Sequence, residues 1–471
     1  AERQLRAMAD EFPQDSRALR ELHALLKEQG REEEALEAID AAVQRDPADV
    51  ELLLALASHR LLVHRMEGAE AAYHQVLKLE PANALANVGL AVGYELSNQD
   101  AALARLVGEA EQRGASAETL NFIRAFDHRR ARRFAEGLAA LELVPEELET
   151  GRRLHLLGQL HEGLGNYEQA FAAFSRMNEI QRADVSAPEE RAAGYRTTVR
   201  SHCAMVTPQW VQGWRQNEPT DDRPSPVFLV GFPRSGTTLL DTMLMGHPRI
   251  EVLEEEPALR HANEHLPEFV DLPTAKSEQI QAARDAYFQT AQAITPLDPC
   301  NLLIDKNPLT MNQLPIALRI FPDARVILAL RHPCDVVLSC FVTNFRLNAG
   351  MSSFLRLDTA AELYDLSFRY FEQAQHLLEI PQHTVVYEDV VADREGQLRS
   401  LIEFLGVEWR DEVLDHESTA RSRGRIKTAS YAQVGQPIYS RSAGRWENYR
   451  QHLEPVLPML EPWVRKFGYS L

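Results

Sequence analysis

A glycine-bounded turn carrying Arg234, Ser235, Gly236, Thr237 and Thr238 follows the apolar run 227–230 and precedes an apolar helical pattern. The step from Gly231 to Gly236 followed by two threonines is the spacing of a phosphate-binding loop, with Thr237 where nucleotide triphosphatases place lysine. Backbone N–H groups of such a loop, aimed outward at a helix N-terminus, form a cradle for phosphate or sulfate oxygens. Arg234 adds a charge-assisted donor. A bare strand-to-helix turn is the alternative, and the strand–loop–helix context favours the cradle. A second anion site is read at Arg331, just past an apolar run, with Ser339 eight residues on inside the next helix. Two anion sites on one sheet edge suggest a nucleotide bearing phosphates at two places. Glu254, Glu255 and Glu256 follow His247 and Pro248, and a carboxylate there can take a proton from an attacking hydroxyl. Lys306, after the apolar run 302–304, can neutralise charge that develops on a transferred group. For any one of these glutamates or for the lysine, a solvated surface charge is the plain alternative.

A fifth stretch, 418–446, holds Arg421, Arg423, Arg425, Lys427, Arg441 and Arg445 and no acidic residue, inside a chain of net charge −19. This local sign reversal fits a loop closing over a polyanion, against a merely solvated basic loop. Tyr387 ends the apolar run 384–387 and suits either a nucleotide contact or a half-buried strand end. His247 and His332 precede prolines and read as turn residues. No His, Cys or Asp cluster has metal-ligand spacing, and no serine or cysteine nucleophile motif stands out.

These residues need a scaffold, and after Pro226 the pattern supplies one. Strands at 227–230, 302–304, 325–330 and 384–387 alternate with helices at 237–246, 278–294, 311–321, 335–344, 360–378 and 396–405. Apolar strands alternating with helices predict a parallel sheet covered on both faces, a three-layer α/β/α domain with its ligands at the carboxyl ends of the strands.

The first half reads differently. Ala35, Ile39, Ala42 and Pro47 recur 34 residues later as Ala69, Tyr73, Val76 and Pro81. Weaker units follow around 85–114 and 119–145, and a clear one runs from Leu157 and Gly158 to Phe174 and Met177. This resembles the tetratricopeptide repeat over roughly 16–180, an α-solenoid of helix pairs that bury their apolar faces only by stacking. The resemblance implies a concave surface that holds a peptide or protein, against a purely structural role or a homodimer contact. The expected organisation is a repeat superhelix over 1–183, a connecting helix and linker over 184–226, and the α/β domain over 227–471.

At 471 residues the chain is long enough for two or three domains. Its acidic balance argues against broad nucleic-acid binding. No apolar run approaches the roughly 20 residues of a membrane helix. The chain opens without an apolar leader or an initiator methionine, which leaves a removed segment open. Four cysteines in neither a disulfide nor a metal pattern suit a reducing compartment, and buried thiols are the expectation. A cytoplasmic setting is therefore expected.

Residues 226–469 resemble the sulfotransferases that use 3′-phosphoadenosine 5′-phosphosulfate, nearest to the tyrosylprotein sulfotransferases and to bacterial fusions of tetratricopeptide repeats with a sulfotransferase domain. The carriers are the loop Pro233 to Thr238, and Arg331 with Ser339. The likeness to those fusions implies a bacterial setting. The resemblance implies that the loop binds the 5′-phosphosulfate, Arg331 and Ser339 the 3′-phosphate, and Tyr387 and Arg445 further parts of the donor. It implies that Glu255 is the base, with Glu254 in reserve, and that Lys306 and Ser442 (or Ser440) stabilise the leaving group. It also explains Thr237, since a phosphosulfate has no γ-phosphate to hold. The implied reaction is in-line transfer to an acceptor hydroxyl, without a metal, releasing adenosine 3′,5′-bisphosphate. A protein or peptide tyrosine is one acceptor, and glycan or small-molecule hydroxyls are the others. A phosphate-loop kinase and a non-catalytic nucleotide-binding repeat scaffold are the competing classes.

Overall fold

The computed structural model describes residues 1–29, 31–63, 65–214, 221–422 and 443–471. Two compact units divide it, Ala1–Met177 and Asn178–Leu471. Among the described residues no helix is long and apolar enough to cross a membrane.

The first unit is a succession of helices: α1 Glu2–Glu11, α2 Arg17–Glu28, α3 Glu32–Arg45, α4 Val50–Leu62, α5 Met66–Leu79, α6 Ala84–Leu96, α7 Asp100–Gln112, α8 Ala117–Arg130, α9 Phe134–Leu141, α10 Thr150–Gly163 and α11 Tyr167–Arg182, whose last residues pass into the second unit. The repeat is written in two devices. The first helix of successive pairs is capped by a side chain that accepts from the opening N–H groups: Asp49 for α4, Asn83 for α6 and Ser116 for α8. The second device sets a residue without a side chain against an aromatic ring on a neighbouring helix. A Cβ at Gly89 would sit 2.2 Å from the Tyr73 ring, and one at Gly158 would sit 2.4 Å from Phe174. The rings fill the space that glycine leaves, and Val76, Ala91, Phe122 and Leu160 complete a core that runs on from helix to helix.

The second unit is built on a parallel sheet with strand order β2-β3-β1-β4-β5. The strands are β1 Val227–Gly231, β2 Ile250–Glu254, β3 Leu302–Lys306, β4 Arg325–Leu330 and β5 Gln382–Val386. Helices α12 Pro188–Met205, α13 Thr237–Met245, α14 Ser277–Ile294, α15 Leu314–Ile320, α16 Pro333–Phe341, α17 Leu357–Leu378, α18 Tyr387–Ala392 and α19 Arg394–Leu405 flank it. Successive strand residues face opposite sides. Val227 and Leu229 join Leu240, Met243 and Leu401 in one core. On the other face Phe228 meets Phe321, and Phe232, just past β1, meets Phe354 and Tyr364.

Three expectations are corrected. Residues 250–254 form a strand, unread in the sequence because its two glutamates interrupt the apolar pattern. The helix expected over 311–321 is a 3-10 turn, Pro308–Asn312, followed by α15, because Pro315 seats best in a first helical turn. Tyr387 leaves the sheet and opens α18, since β5 ends at Val386.

The two packing environments of glycine predict opposite signs for one substitution. Gly158→Ala should lower stability by about 1–3 kcal/mol through overpacking against Phe174. Gly108→Ala, inside α7 with nothing within 4 Å of the new Cβ, should raise it, by roughly 0.5–1 kcal/mol. Urea unfolding of the whole chain followed by circular dichroism separates the two.

Candidate active site

The order of the strands makes the site. β1 lies at the centre, with β3 and β2 to one side and β4 and β5 to the other, and the chain crosses over β1 between β3 and β4. Such a switch point opens a crevice at the carboxyl ends of the strands, and the loop 232–236 rises from β1 into it.

The loop is shaped by close approach. A Cβ on Gly231 would lie 2.5 Å from the Ala329 carbonyl oxygen, and one on Gly236, at φ +97°, would lie 2.9 Å from the Tyr387 ring. Arg234 adopts φ +74°, a region that L-residues rarely occupy. The helical ladder of α13 begins with Leu239, whose N–H donates to the Gly236 carbonyl. The N–H groups of Gly236, Thr237 and Thr238 thus stand ahead of that ladder, at the positive end of the helix. Ser235, Thr237 and Thr238 are buried.

Toward β4 the loop meets cationic side chains. Arg331, directly after β4, donates from Nη1 to the Arg234 carbonyl at 3.1 Å, and Arg234 Nε donates to Ser339 Oγ at 3.1 Å. The Arg331 guanidinium lies over the Tyr387 ring, 5.1 Å from its centre. Arg331 and Ser339 are both buried. The structure therefore brings Arg234, Arg331, Ser339 and Tyr387 to one place. Arg445 follows as the residue between two main-chain N–H groups, of Gly444 and Trp446, that donate to Asp335 in α16.

On the other flank the charges are mixed. Glu254 and Lys306 are in-register partners at the ends of β2 and β3, so their side chains share a face. Lys306 is fully buried; its Nζ lies 3.0 Å from Glu255, 3.3 Å from Asp241 and 3.5 Å from Glu254. The Glu255 N–H donates to the Lys306 carbonyl at 2.8 Å, which holds Glu255 at φ +53°. Burial pushes the Lys306 ammonium toward deprotonation, but the three carboxylates, Glu255 foremost, more than reverse this and keep it above the ordinary lysine range. Glu255 is the most open of the three carboxylates, at 32% side-chain exposure against 0% for Asp241 and 7% for Glu254. Only Glu255 is therefore positioned to meet an incoming group.

Asp305 faces the opposite way, accepting from the Tyr287 hydroxyl at 2.8 Å, and burial raises its carboxyl from 3.8 to about 7. His247 accepts from the Arg249 N–H, and His332 from the Cys334 N–H, as turn residues do. Cys334 and Cys340 are buried, but Cys203 is half-buried and Cys300 is exposed, against the expectation of buried thiols. Ser442, Ser440, Arg423, Arg425, Lys427 and Arg441 lie outside the described residues. Sequence reasoning missed Asp241 and Asp335. The available signal for Asp241 was an aspartate among Leu239, Leu240, Met243 and Leu244 in a short apolar helix, a residue rarely buried without a partner.

The same two regions stand out when the chain is set beside known proteins. A family model described as "Sulfotransferase family" matches residues 226–411, and a tetratricopeptide-repeat model matches residues 151–184. Residues 226–411 belong to the sulfotransferase family. An uncharacterised protein of Aquifex aeolicus (strain VF5) is 25% identical over 314 residues, 64% of this chain and 40% of that protein. Protein-tyrosine sulfotransferase A of Caenorhabditis elegans is 28% identical over 278 residues, 53% of this chain and 68% of its own length. A solved sulfotransferase domain from the Synechococcus PCC 7002 olefin synthase covers 55% of the chain at 23% identity, with a TM-score of 0.36. The chain thus spans less than half of the Aquifex relative and about two thirds of the nematode one. The sulfotransferase domain is preceded by a tetratricopeptide-repeat region.

Two measurements test the electrostatics of the sulfotransferase domain. Between pH 3.8 and about 7 the folded chain keeps on Asp305 a proton that the unfolded chain has lost. Stability from this group is intact at low pH and declines as pH rises through that window, by about 1.4 kcal/mol for each pH unit the window spans. Denaturant unfolding should show the wild type losing stability relative to Asp305→Asn as pH rises, the difference levelling off above pH ~7. Lys306→Met should cost about 3–5 kcal/mol by stranding buried carboxylates, and adding Asp241→Asn should recover part of that loss. Strict additivity of the two substitutions would contradict the cluster.

Proposed function

We propose that the chain transfers a sulfuryl group from 3′-phosphoadenosine 5′-phosphosulfate to the hydroxyl of a tyrosine in a protein or peptide. The observation that carries this reading is the division of charge about β1. Arg234 and Arg331 gather with Ser339 on the β4 side, while the exposed carboxylate of Glu255 stands with Lys306 on the β2–β3 side. A polyanionic donor fits the first flank and the loop between them, where the buried Arg331, the half-buried Arg234 and the N–H groups of α13 meet. When bound, the donor supplies a sulfuryl group on a phosphate leaving group.

The chain's own residues supply the rest. N–H groups of Gly236, Thr237 and Thr238 hold the oxygens of the 5′ end, with Arg234 beside them. Arg331 and Ser339 hold the 3′-phosphate, and Arg445 adds charge there. Glu255 takes the proton of the acceptor hydroxyl as its oxygen bonds to sulfur, while the sulfur–oxygen bond to the leaving phosphate breaks and its electron pair stays on that oxygen. Lys306 couples these events. Its ammonium is shared among three carboxylates at rest. Protonation of Glu255 removes one of these counter-charges, so the field of Lys306 on the leaving oxygen strengthens as charge builds there. An interaction that grows toward the transition state is the kind that accelerates a reaction. Ser442, outside the described residues, belongs to the same role by resemblance alone.

The tyrosine acceptor is supported by the relatives named protein-tyrosine sulfotransferases, which match over about half of this chain. A surface of the repeat region is the natural place to hold a polypeptide around its tyrosine.

Thermal unfolding should rise more with adenosine 3′,5′-bisphosphate than with ATP, and the reverse order would overturn the donor. With labelled donor and tyrosine peptides, Glu255→Gln should lower kcat by about 10²-fold or more. Bisphosphate affinity should stay near that of the wild type, since the amide still accepts from Lys306 while Asp241 and Glu254 remain. Unchanged turnover would remove Glu255 as the base.

A further inference from the structure

Asp335 does something that its place in the helix does not call for. It lies in the first turn of α16, where an aspartate ordinarily serves its own helix's N–H groups. That duty is already met by His332, whose ring nitrogen accepts from the Cys334 N–H. Both oxygens of Asp335 turn instead to a distant part of the chain. One accepts from the Gly444 N–H and the other from the Trp446 N–H, each at 2.8 Å, across 109 and 111 residues of sequence. Trp446 then lies flat on the His332 ring, with centres 5.2 Å apart and planes 14° apart. Asp335 and Trp446 are almost wholly buried. Burial raises the Asp335 carboxyl, and Arg331 and the two N–H groups offset only part of that rise. A buried carboxylate is costly to keep, and a fully satisfied one defines a single local arrangement.

The residue held between the two bonded N–H groups is Arg445. Asp335 lies one helical turn before Ser339, on the same side of α16, and four residues after Arg331. The family match ends at residue 411, so residues 444–446 are joined to that match by contacts of this kind.

We propose that Asp335 is a positioning residue for the donor's 3′-phosphate. By fixing the main chain on both sides of Arg445, it holds that arginine at the Arg331–Ser339 site and makes recognition of the 3′-phosphate depend on it. The proposal rests on the sulfotransferase function proposed for this site. A carboxylate thereby strengthens the binding of an anion, because its charge is spent on two N–H groups and what it presents is the arginine between them.

Calorimetric titration of the whole chain with adenosine 3′,5′-bisphosphate and with adenosine 5′-monophosphate tests this. Asp335→Asn and Arg445→Ala should each weaken the bisphosphate about tenfold while leaving the monophosphate unchanged, because one charge-assisted bond is lost in the first and the arginine itself in the second. The double variant should bind the bisphosphate no worse than Arg445→Ala. Equal loss for both nucleotides, or a double variant weakened by the product of the single effects, would show that Asp335 only supports the fold. Gly444→Ala reads the same quantity if Asp335→Asn does not fold. It strains a residue at φ +74° while its new Cβ meets nothing nearer than 3.4 Å, and it should also reduce discrimination between the nucleotides. A wild type that fails to bind the bisphosphate overturns the sulfotransferase reading and this inference with it. Wild-type binding with unaltered variants overturns this inference alone.

Discussion

The burial of the Lys306 ammonium ties three elements of the second unit to one another. A lysine with no solvent exposure is tolerated only where its charge is answered, and three carboxylates from three elements answer it: Asp241 from α13, Glu254 from β2 and Glu255 from the turn beyond. Asp241 and Glu254 are admitted to the interior because the lysine is there. The strand pairing that sets Glu254 opposite Lys306, the helix that follows the loop and the turn at Glu255 are therefore tied to one another through a single nitrogen. Glu255 is the partner with a side chain open to solvent, so the cluster is closed on two sides and open on the third.

The parallel sheet turns this cluster into half of a site. Because β1 is central, its loop has β3 on one hand and β4 on the other. The lysine–carboxylate cluster lies on the first side and the two arginines on the second, so the carboxylates are kept apart from the groups suited to phosphate. If β4 took the place of β3, Arg331 would fall beside Glu255 and be neutralised by it. The topology thus keeps the Glu255 carboxylate apart from the two arginines, and the loop bridges the two clusters.

The strands and helices most readable in the sequence were those with unbroken apolar runs, such as β1 and β4, and the repeat pairs whose small and large residues recur at 34 residues. Arg234, Arg331, Ser339 and Lys306 were legible because loop spacing and strand ends place them by short-range rules, while Glu255 was singled out from a run of three glutamates by resemblance. β2 was hidden because Glu251 and Glu254 break its pattern, although Glu254 points at a cation rather than at solvent. Asp241 and Asp335 were illegible for another reason. Their partners lie 65 and more than 100 residues away, at Lys306 and at Gly444 and Trp446, and no local periodicity encodes such pairing. Tyr387 was found in the sequence as a strand residue, but it reaches Arg331 and Gly236 from the start of a helix.

Backbone conformation sets two of these residues apart. Among the described residues seven non-glycine positions have positive φ, and five of them, Asn98, Arg132, Glu149, Ala187 and Glu379, lie at helix ends, where a tight turn needs that geometry. The other two are Arg234 and Glu255, at the carboxyl ends of β1 and β2. Glycine would adopt either conformation without the roughly 1–2 kcal/mol that an L-residue spends there. At both positions the side chain offsets that cost with a contact glycine lacks, to Ser339 in one case and to Lys306 in the other. The same strain aims each side chain from the sheet edge into the crevice. Backbone strain is thus paired with a charged side chain on each side of the switch point, which supports the crevice as the candidate site.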